Sequence, residues 1–409
     1  MGESKGAAPE RRITVGTVAV GADGKRRVQD ALDRGRISGG KFVQEFEDAF
    51  AKYHGLKYGV AVSSGTDADA VAVAALLDAG AQRGDDVIVP ALTFISVANA
   101  CLHAGLTPRF ADVDPTTYNV TAASVAAALT PRTRAVLAVH NFGRPAPMDE
   151  LLELAASRGL TVIEDAAEAH GARYRGRLVG TLGAMATYSF YVAHILTTGE
   201  GGMVITDDAE WARLCRSIRA HGRACDCKVC VLNVDSRYCP LRYKYGEDTD
   251  IRFYFERIGF SAKMNELEAA LGIEQVALMD DIVRARRERL EYFNDHLARY
   301  EAVLQLFRSL PHEEISPLCY PLVVREEAPF QRFELTRYLE ERGIETRPAF
   351  GCIPTQQPAY AWMGHRAGEF PGAERVGARG FYIGCHQNIT PDDLAYVVGV
   401  FDDFMNERL

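Results

Sequence analysis

The chain has 409 residues, 47% of them hydrophobic and 25% charged, which is typical of a large globular protein. A formal net charge of -9 without a basic block argues against binding to nucleic acid or to a membrane surface. No apolar run approaches the roughly 18 residues of a membrane-spanning helix, and the polar start lacks the apolar core of a secretion signal. We therefore expect a cytoplasmic protein whose nine cysteines are reduced or metal-bound.

After a tail over residues 1–12, which we expect to be flexible, the chain alternates between predicted helices and strands. Phe42, Phe46 and Phe50 recur every fourth residue and predict one buried helix face. Short apolar runs predict buried strands, and helical patterns separate them. The predicted strands are 59–62, 87–89, 135–139, 160–163 and 203–205, and the helices include 68–77 and 148–157. This alternation predicts a mostly parallel sheet whose ligands bind beyond the carboxyl ends of the strands.

The alternation breaks at residues 224–256, which are rich in Cys, Tyr, Arg and Asp and show no period. A stretch of that length predicts a functional or ligand-ordered insertion. A helical pattern then runs from about 264 to 300, followed by a strand at 316–324 and a helix at 330–341. We expect a large α/β domain over 13–263 that contains the insertion. The long helix and a small α+β domain would form 264–409.

Three short motifs suggest chemistry. Residues 63–66 follow a strand and open a helix, a pattern that suits phosphate binding and equally an ordinary capped helix. Glu164 and Asp165 end a buried strand, where a carboxylate needs a partner such as a protonated pyridine nitrogen, a backbone N–H or an arginine. His194 precedes a glycine-rich turn, and a lone histidine in such a place is more often structural than catalytic.

Four cysteines fall within fifteen residues: Cys225, Cys227, Cys230 and Cys239. Four such thiols suit a [2Fe–2S] or [4Fe–4S] cluster and equally a structural zinc ion. A third interpretation is a chance grouping of inert thiols. The other five cysteines read as buried thiols, with Cys215 as an outlying candidate ligand. These five are Cys101, Cys215, Cys319, Cys352 and Cys385.

In their order and spacing, these motifs resemble the nucleotide-sugar aminotransferase family. Its members are fold type I pyridoxal phosphate (PLP) enzymes that act on 4-keto sugars. The matching segments cover most of the chain: 37–40, 62–68, 89–94, 164–167, 189–190, 198–202, 221–223, 258–260, 264–270, 346–348 and 357–360. The resemblance implies the fold type I α/β fold and a homodimer with its active site at the interface.

The resemblance also implies where the cofactor binds. Gly65 and Thr66 would hold its phosphate with help from Ser189, and Phe94 would stack on its pyridine ring. Asp165 would keep the ring nitrogen protonated, so that the ring acts as an electron sink.

Two positions depart from the family pattern. Glu168 lies where the family often has a glutamine near the ring hydroxyl. Ser261 stands where the family usually has an asparagine that reaches the partner subunit's cofactor phosphate. Whether Ser261 makes that contact is left open by the sequence.

The main departure is His194, at the position of the lysine that binds PLP covalently in the family's aminotransferases. An imidazole has no primary amine, so the cofactor would be held non-covalently as pyridoxamine phosphate (PMP). Its unperturbed pKa of about 6.5 still lets it move protons near neutral pH.

This change resembles the sugar 3-dehydratases within the family, with the histidine as the catalytic base. They remove the C3 hydroxyl of a nucleotide-linked 4-keto-6-deoxyhexose. One branch contains an iron–sulfur cluster and finishes by reduction; the other has no cluster and finishes by hydrolysis.

The cysteine segment favours the branch with a cluster, whose members also carry a close Cys-x-Cys pair in this region. Their additional upstream cysteine would fall at Ala167, so Cys230 and Cys239 would replace it. We therefore expect a PMP-dependent iron–sulfur 3-dehydratase that receives electrons from a separate reductase. The alternatives are a hydrolytic dehydratase with zinc in the cysteine site and a non-catalytic family member.

Three further residues are candidates for binding the nucleotide diphosphate of the substrate: Arg347, Tyr243 and Tyr245. Their alternative interpretation is a solvated polar surface.

Overall fold

The computed structural model describes residues 11–234 and 237–409, so residues 1–10 of the predicted tail lie outside the described part. The strands, in chain order, are β1 (Tyr58–Val62), β2 (Asp86–Pro90), β3 (Thr107–Ala111), β4 (Thr133–Val139), β5 (Thr161–Asp165), β6 (Arg173–Tyr174), β7 (Arg177–Leu178), β8 (Met185–Ser189), β9 (Gly202–Thr206), β10 (Leu304–Gln305), β11 (Glu313–Glu314), β12 (Tyr320–Val324), β13 (Thr346–Pro348) and β14 (Gly380–Ile383).

The helices are α1 (Ala22–Asp33), α2 (Lys41–Tyr53), α3 (Gly65–Asp78), α4 (Ser96–Ala104), α5 (Ala122–Ala128), α6 (Met148–Arg158), α7 (Ala209–Ile218), α8 (Val231–Val234), α9 (Glu266–Ala277), α10 (Met279–Leu297), α11 (Arg332–Glu341), α12 (Ile353–Gln356), α13 (Pro371–Arg379) and α14 (Pro391–Arg408).

A seven-stranded sheet in the order β1-β9-β8-β5-β4-β2-β3 forms the centre of the molecule. Its neighbours are parallel except along β9, which is antiparallel to both β1 and β8. The strands are almost entirely buried because helices cover them, which explains their continuous apolar runs. The predicted fold class and the five predicted strands are confirmed.

The predicted helix over 264–300 is interrupted. The Asn265 side chain accepts the N–H groups of Leu267 and Glu268 and starts α9, but the backbone leaves the helical region at Leu278 before α10 begins. The first half packs on α1 and α2, and the second half reaches α14. An apolar period shows which face of a helix is buried but not that its two halves have different partners.

The C-terminal part contains a second sheet in the order β10-β12-β14-β13, with antiparallel neighbours. The strand predicted at 316–324 is shorter, because Ser316 N–H and Leu318 N–H bond to the 142–143 turn instead of extending β12. The start of the described chain also joins this part, since Ile13 pairs with Ile344.

The insertion at 224–256 contains little regular structure in its described residues: α8 and a single 3₁₀ turn at 251–253. Its two ends are joined, because Ala224 N–H bonds to Tyr254 C=O at 2.9 Å and Arg223 pairs with Phe255. The insertion is therefore a closed loop on the large sheet domain. Among the described residues, no helix is both long enough and apolar enough to cross a membrane.

Candidate active site

One cavity of about 400 Å³ opens at the carboxyl ends of the central strands. Eight of the residues singled out in the sequence line it: Gly65, Thr66, Phe94, Asp165, Glu168, Ser189, His194 and Arg347. Four lining residues that the sequence reasoning missed are Asp69, Tyr191, Phe350 and Tyr382. Of these, Asp69 leaves a signal in the sequence, since it is the one acid within an otherwise apolar stretch of α3.

The start of α3 forms one wall of the cavity. Ser64 caps the helix by accepting the Asp67 N–H at 3.1 Å. As the first residues of a helix, Gly65 and Thr66 have N–H groups without intrahelical acceptors, which makes this end suitable for an anion. A Cβ on residue 65 would lie 2.5 Å from the Ser189 Cβ, so only glycine permits this close approach of α3 to the end of β8.

Glu164 and Asp165, the two acids at the end of β5, have different hydrogen-bond partners. Glu164 accepts N–H groups from Gly180, Leu182 and Gly183, each at 2.7 Å, and a hydrogen bond from His140 Nε2 at 3.1 Å. Burial raises the pKa of Glu164, but these hydrogen bonds bring it below its ordinary value. Glu164 is therefore a structural carboxylate.

Asp165 accepts one hydrogen bond, from Ala167 N–H at 2.9 Å, and faces the cavity. Burial raises its pKa to about 6. An under-satisfied buried carboxylate in a cavity suits a cationic partner such as a protonated pyridine nitrogen.

Glu168 lies on the same wall and accepts the Phe142 N–H at 2.7 Å. Burial, together with the charge of Asp165, raises the pKa of Glu168 to about 8. At neutral pH its side chain is therefore mostly uncharged, which makes it similar to the glutamine expected at this position.

His194 lies across the cavity. Its Nδ1 is 3.4 Å from the Ser189 carbonyl oxygen, which favours a proton on Nδ1 and leaves the lone pair on Nε2. Burial, aided by the charges of Arg286 and Arg347, lowers the pKa of His194 to about 4. The imidazole is therefore neutral near pH 7 and can accept a proton. No lysine lines this cavity within the described ranges 11–234 and 237–409.

The three other predicted residues lie outside the cavity. Ser261 is exposed and pairs with Ala220. Tyr243 and Tyr245 lie on the surface of the insertion, where the Tyr245 hydroxyl donates to Glu256 at 2.8 Å. The contact of Ser261 with the partner subunit's cofactor phosphate stays a prediction, as does the contact of Tyr243 and Tyr245 with the substrate's nucleotide diphosphate.

All four clustered cysteines line a second cavity, of about 430 Å³, and are partly buried. Cys225 donates a hydrogen bond to Cys227, which lowers the pKa of Cys227 to about 6 and raises that of Cys225. In the part of the chain that the structure describes, however, no three His, Cys, Asp or Glu side chains are close enough together to hold a metal ion. The four thiols therefore share a cavity without reaching ligand spacing.

The remaining cysteines are buried, as the sequence predicted. Cys215 contacts the Met185 sulfur at 3.9 Å, and burial raises its pKa to about 12.

A mostly parallel sheet with this cavity at the carboxyl ends of its strands is the fold type I architecture of PLP-dependent enzymes. The chain belongs to the DegT/DnrJ/EryC1/StrS aminotransferase family, whose model matches residues 19–402.

Relatives of both reaction types are similar to it. The dTDP-4-dehydro-2,6-dideoxy-D-glucose 3-dehydratase of Saccharopolyspora spinosa is 35% identical, over 92% of this chain and 83% of that protein. The GDP-perosamine synthase of Caulobacter vibrioides is 34% identical, over 96% of this chain and 98% of that protein. The structure of Escherichia coli GDP-4-keto-6-deoxy-D-mannose-3-dehydratase with bound hydrated PLP superposes with a TM-score of 0.83 at 27% identity, covering 96% of this chain and 100% of that one.

Proposed function

We propose that this chain is a PMP-dependent 3-dehydratase of a nucleotide-linked 4-keto-6-deoxyhexose. The observation that carries the proposal is that His194 lines the cavity, while no lysine of the described residues does. The 3-dehydratase and the perosamine synthase are almost equally similar to the chain, so overall identity does not distinguish the reactions. The chemistry of residue 194 supports the dehydratase, because only a primary amine can bind PLP covalently and His194 has none.

The cavity residues fit this cofactor. Gly65, Thr66 and Ser189 would hold the phosphate, and Phe94, with 58% of its surface exposed, offers a ring face for stacking. Asp165 would pair with the ring nitrogen. When bound, PMP supplies an amine for the sugar ketone and a pyridine ring that accepts electrons.

We infer that His194 acts as the base, because it lines the cavity and its Nδ1 faces the Ser189 carbonyl oxygen. Its Nε2 lone pair would take the proton that leaves the cofactor's C4′ carbon, and the imidazole could then protonate the departing C3 hydroxyl. Arg347 would donate hydrogen bonds to the nucleotide diphosphate, since its guanidinium reaches the cavity while Glu345 accepts its Nε–H at 3.0 Å.

The test compares H194N and H194K with the wild type and with H103N, a change at an exposed histidine of α4. We expect H194N to bind PMP normally but to stop exchange of the C4′ proton with solvent. After treatment with PLP and borohydride, H194K should keep the cofactor through denaturation, whereas the wild type and H103N should release it. Unchanged exchange in H194N would exclude His194 as the base.

We also propose that the cysteine cavity binds an iron–sulfur cluster, which would make the reaction reductive. Four soft thiol ligands are present on one cavity. Arg223 and Lys263 line it as well, and their positive charges favour anionic thiolates. Binding requires the loop to close around the cluster, as metal-ordered segments do.

Two residues that line the cysteine cavity contact segments next to the cofactor cavity. Lys263 pairs with Val62, at the end of β1 just before the phosphate-binding segment. Met264, which lines the cysteine cavity, packs against Gly201 beside the cofactor cavity. A cluster in this position would relay single electrons from a separate reductase.

Protein purified without air should contain iron and acid-labile sulfide. The double variant C225A/C227A should lose both, and the matched control C352A, which removes a buried thiol elsewhere, should keep them. Zinc without iron in the wild type would contradict the redox proposal.

That outcome would favour the second candidate, a hydrolytic 3-dehydratase with structural zinc. The observation in its favour is the structural similarity to the GDP-4-keto-6-deoxy-D-mannose-3-dehydratase of Escherichia coli. The spacing of the described thiols counts equally against a cluster and against zinc. It predicts turnover with an amino donor and no reductase. Analytical ultracentrifugation tests the homodimer, which both candidates would form.

A further inference from the structure

Besides Asp165, Glu168 and Glu200, the cofactor cavity is lined by Asp69, an acid to which the proposed chemistry gives no role. It lies in α3, where residues 68–76 are all buried, and only 2% of its surface is exposed. Both Asp69 and Asp165 line the cavity. The carboxyl group of Asp69 is also close enough to Asp165 for the two charges to interact.

Thr187 connects the two acids. Its Oγ1 donates a hydrogen bond to Asp69 Oδ1 at 2.6 Å. Thr187 is also the register partner of Asp165 in the pairing of β5 with β8, and its carbonyl oxygen accepts the Ala166 N–H at 2.9 Å. Among the described residues, no cation contributes to the electrostatic surroundings of the Asp69 carboxyl group.

The surroundings favour a neutral Asp69. Burial raises the pKa of Asp69 well above its ordinary value of 3.8, and the charge of Asp165 raises it further, while the hydrogen bond from Thr187 opposes both. The titratable groups that face it are Asp165 from β5 and Cys101 from α4; burial, aided by Asp69, raises the pKa of Cys101. Two adjacent buried carboxyl groups do not readily ionise together.

We propose that Asp69 is a proton-holding positioning residue of the cofactor site: of the two buried carboxyl groups joined through Thr187, Asp69 holds the proton while Asp165 carries the charge, and when Asp69 ionises at higher pH its charge strengthens proton binding at the cofactor's ring nitrogen. The inference rests on the proposed function only in requiring a pyridine-ring cofactor in this cavity. It holds for either branch of the dehydratase and for amino transfer.

The first test is a pH titration of the absorption spectrum of bound PMP. The amide of D69N keeps the size and the acceptor oxygen of the neutral acid but cannot ionise, so D69N should bind PMP within about twofold of the wild type near pH 6.5. In alkaline solution the ring nitrogen of D69N should lose its proton about one pH unit earlier, because the second negative charge is missing. The matched control E274Q changes a buried acid that bonds Gly21 N–H, remote from the cavity.

Two results would overturn the proposal. One is a titration in D69N that coincides with that of the wild type and E274Q. The other is a tenfold loss of PMP affinity in D69N near pH 6.5, which would indicate a charged or merely structural Asp69. Failure of the dehydratase assays with a shifted D69N titration would reject the proposed function and leave this inference intact.

The second test needs no cofactor. An acid whose pKa is raised in the folded state holds its proton while the unfolded chain has lost it, so stability falls as pH rises above the ordinary pKa of 3.8. Relative to D69N, the unfolding equilibrium constant of the cofactor-free wild type should therefore increase by up to tenfold per pH unit above about pH 4. Urea unfolding that follows parallel pH curves in the two proteins would contradict a proton on Asp69.

Discussion

The adjacent acids Glu164 and Asp165 should respond in opposite ways to the same chemical change. Glu164 has four hydrogen-bond donors around its two oxygens, whereas Asp165 has one and faces the cavity. Conversion of each acid to its amide removes one charge and one acceptor oxygen. We expect E164Q to damage the fold and D165N to damage cofactor binding.

The loss in E164Q follows from how its donors are arranged. Oε1 accepts from Leu182 and Gly183, and Oε2 accepts from Gly180 and His140. The His140 Nδ1 accepts the Ala146 N–H, so its Nε2 carries the proton and is a donor. Whichever oxygen of Glu164 is replaced by the amide NH₂ group, the two groups that donated to that oxygen then face another donor and lose their hydrogen bonds. At about 1.5–3 kcal/mol for each hydrogen bond to a charged group, E164Q should lose about 3–6 kcal/mol of stability.

D165N should instead stabilise the cofactor-free protein and weaken cofactor binding. The amide keeps an oxygen for Ala167, and the charge that burial disfavours is gone. The pKa rises from 3.8 to about 6, roughly two units, and at about 1.4 kcal/mol each the cofactor-free variant should be up to about 3 kcal/mol more stable above pH 6. Because the acid's pKa is raised, this difference should vanish below about pH 4. Loss of the charged partner should weaken PMP binding by about tenfold to a hundredfold.

Urea unfolding of the cofactor-free proteins at several pH values, with PMP binding followed by absorbance, tests both expectations. Each variant serves as the control for the other, because the same acid-to-amide change is made at two adjacent residues. Equal destabilisation by E164Q and D165N would refute the division of roles between the two acids. So would unchanged PMP affinity in D165N.

Three further results are expected. Because burial lowers the pKa of His194 to about 4, kcat/KM of the wild type should show no acid limb from this group above about pH 5, and an acid limb near pH 6.5 would contradict it. G143A should lower the free energy of unfolding by about 3 kcal/mol or more, because Gly143 has φ +87° and a Cβ there would clash with the Ser316 carbonyl. The control G159A, at a glycine with φ +65° and open space around it, should lower it by only about 1 kcal/mol. Thermal unfolding measures both. R347M should raise KM for the nucleotide sugar about tenfold without changing PMP affinity. A tenfold loss of PMP affinity in R347M would instead assign Arg347 to cofactor binding.

Local patterns in the sequence were sufficient for the fold and for most of the cofactor cavity. Continuous apolar runs identified the central strands, because a parallel sheet covered on both faces buries every side chain. The site residues Gly65, Asp165 and Ser189 follow or end such strands, and parallel strands bring their carboxyl ends to one edge. A resemblance in motif order then distinguished them from ordinary caps and turns.

Features that depend on contacts between distant segments could not be predicted. The helix expected at 264–300 breaks at Leu278 because its halves pack on different parts of the molecule. The spacing of Cys225, Cys227, Cys230 and Cys239 along the chain says how many thiols are near one another, but not whether they converge on one point.

The same limit applies inside the cofactor cavity. In the sequence Glu164 and Asp165 are equivalent acids, and Asp69 is an unexplained acid on an apolar helix. Their roles depend on which donors the tertiary structure places around each oxygen, since burial penalises a charge and hydrogen bonds from other segments relieve that penalty. The sequence determined which groups are available in the cavity, and only the tertiary structure decided which of them hold a charge and which hold a proton.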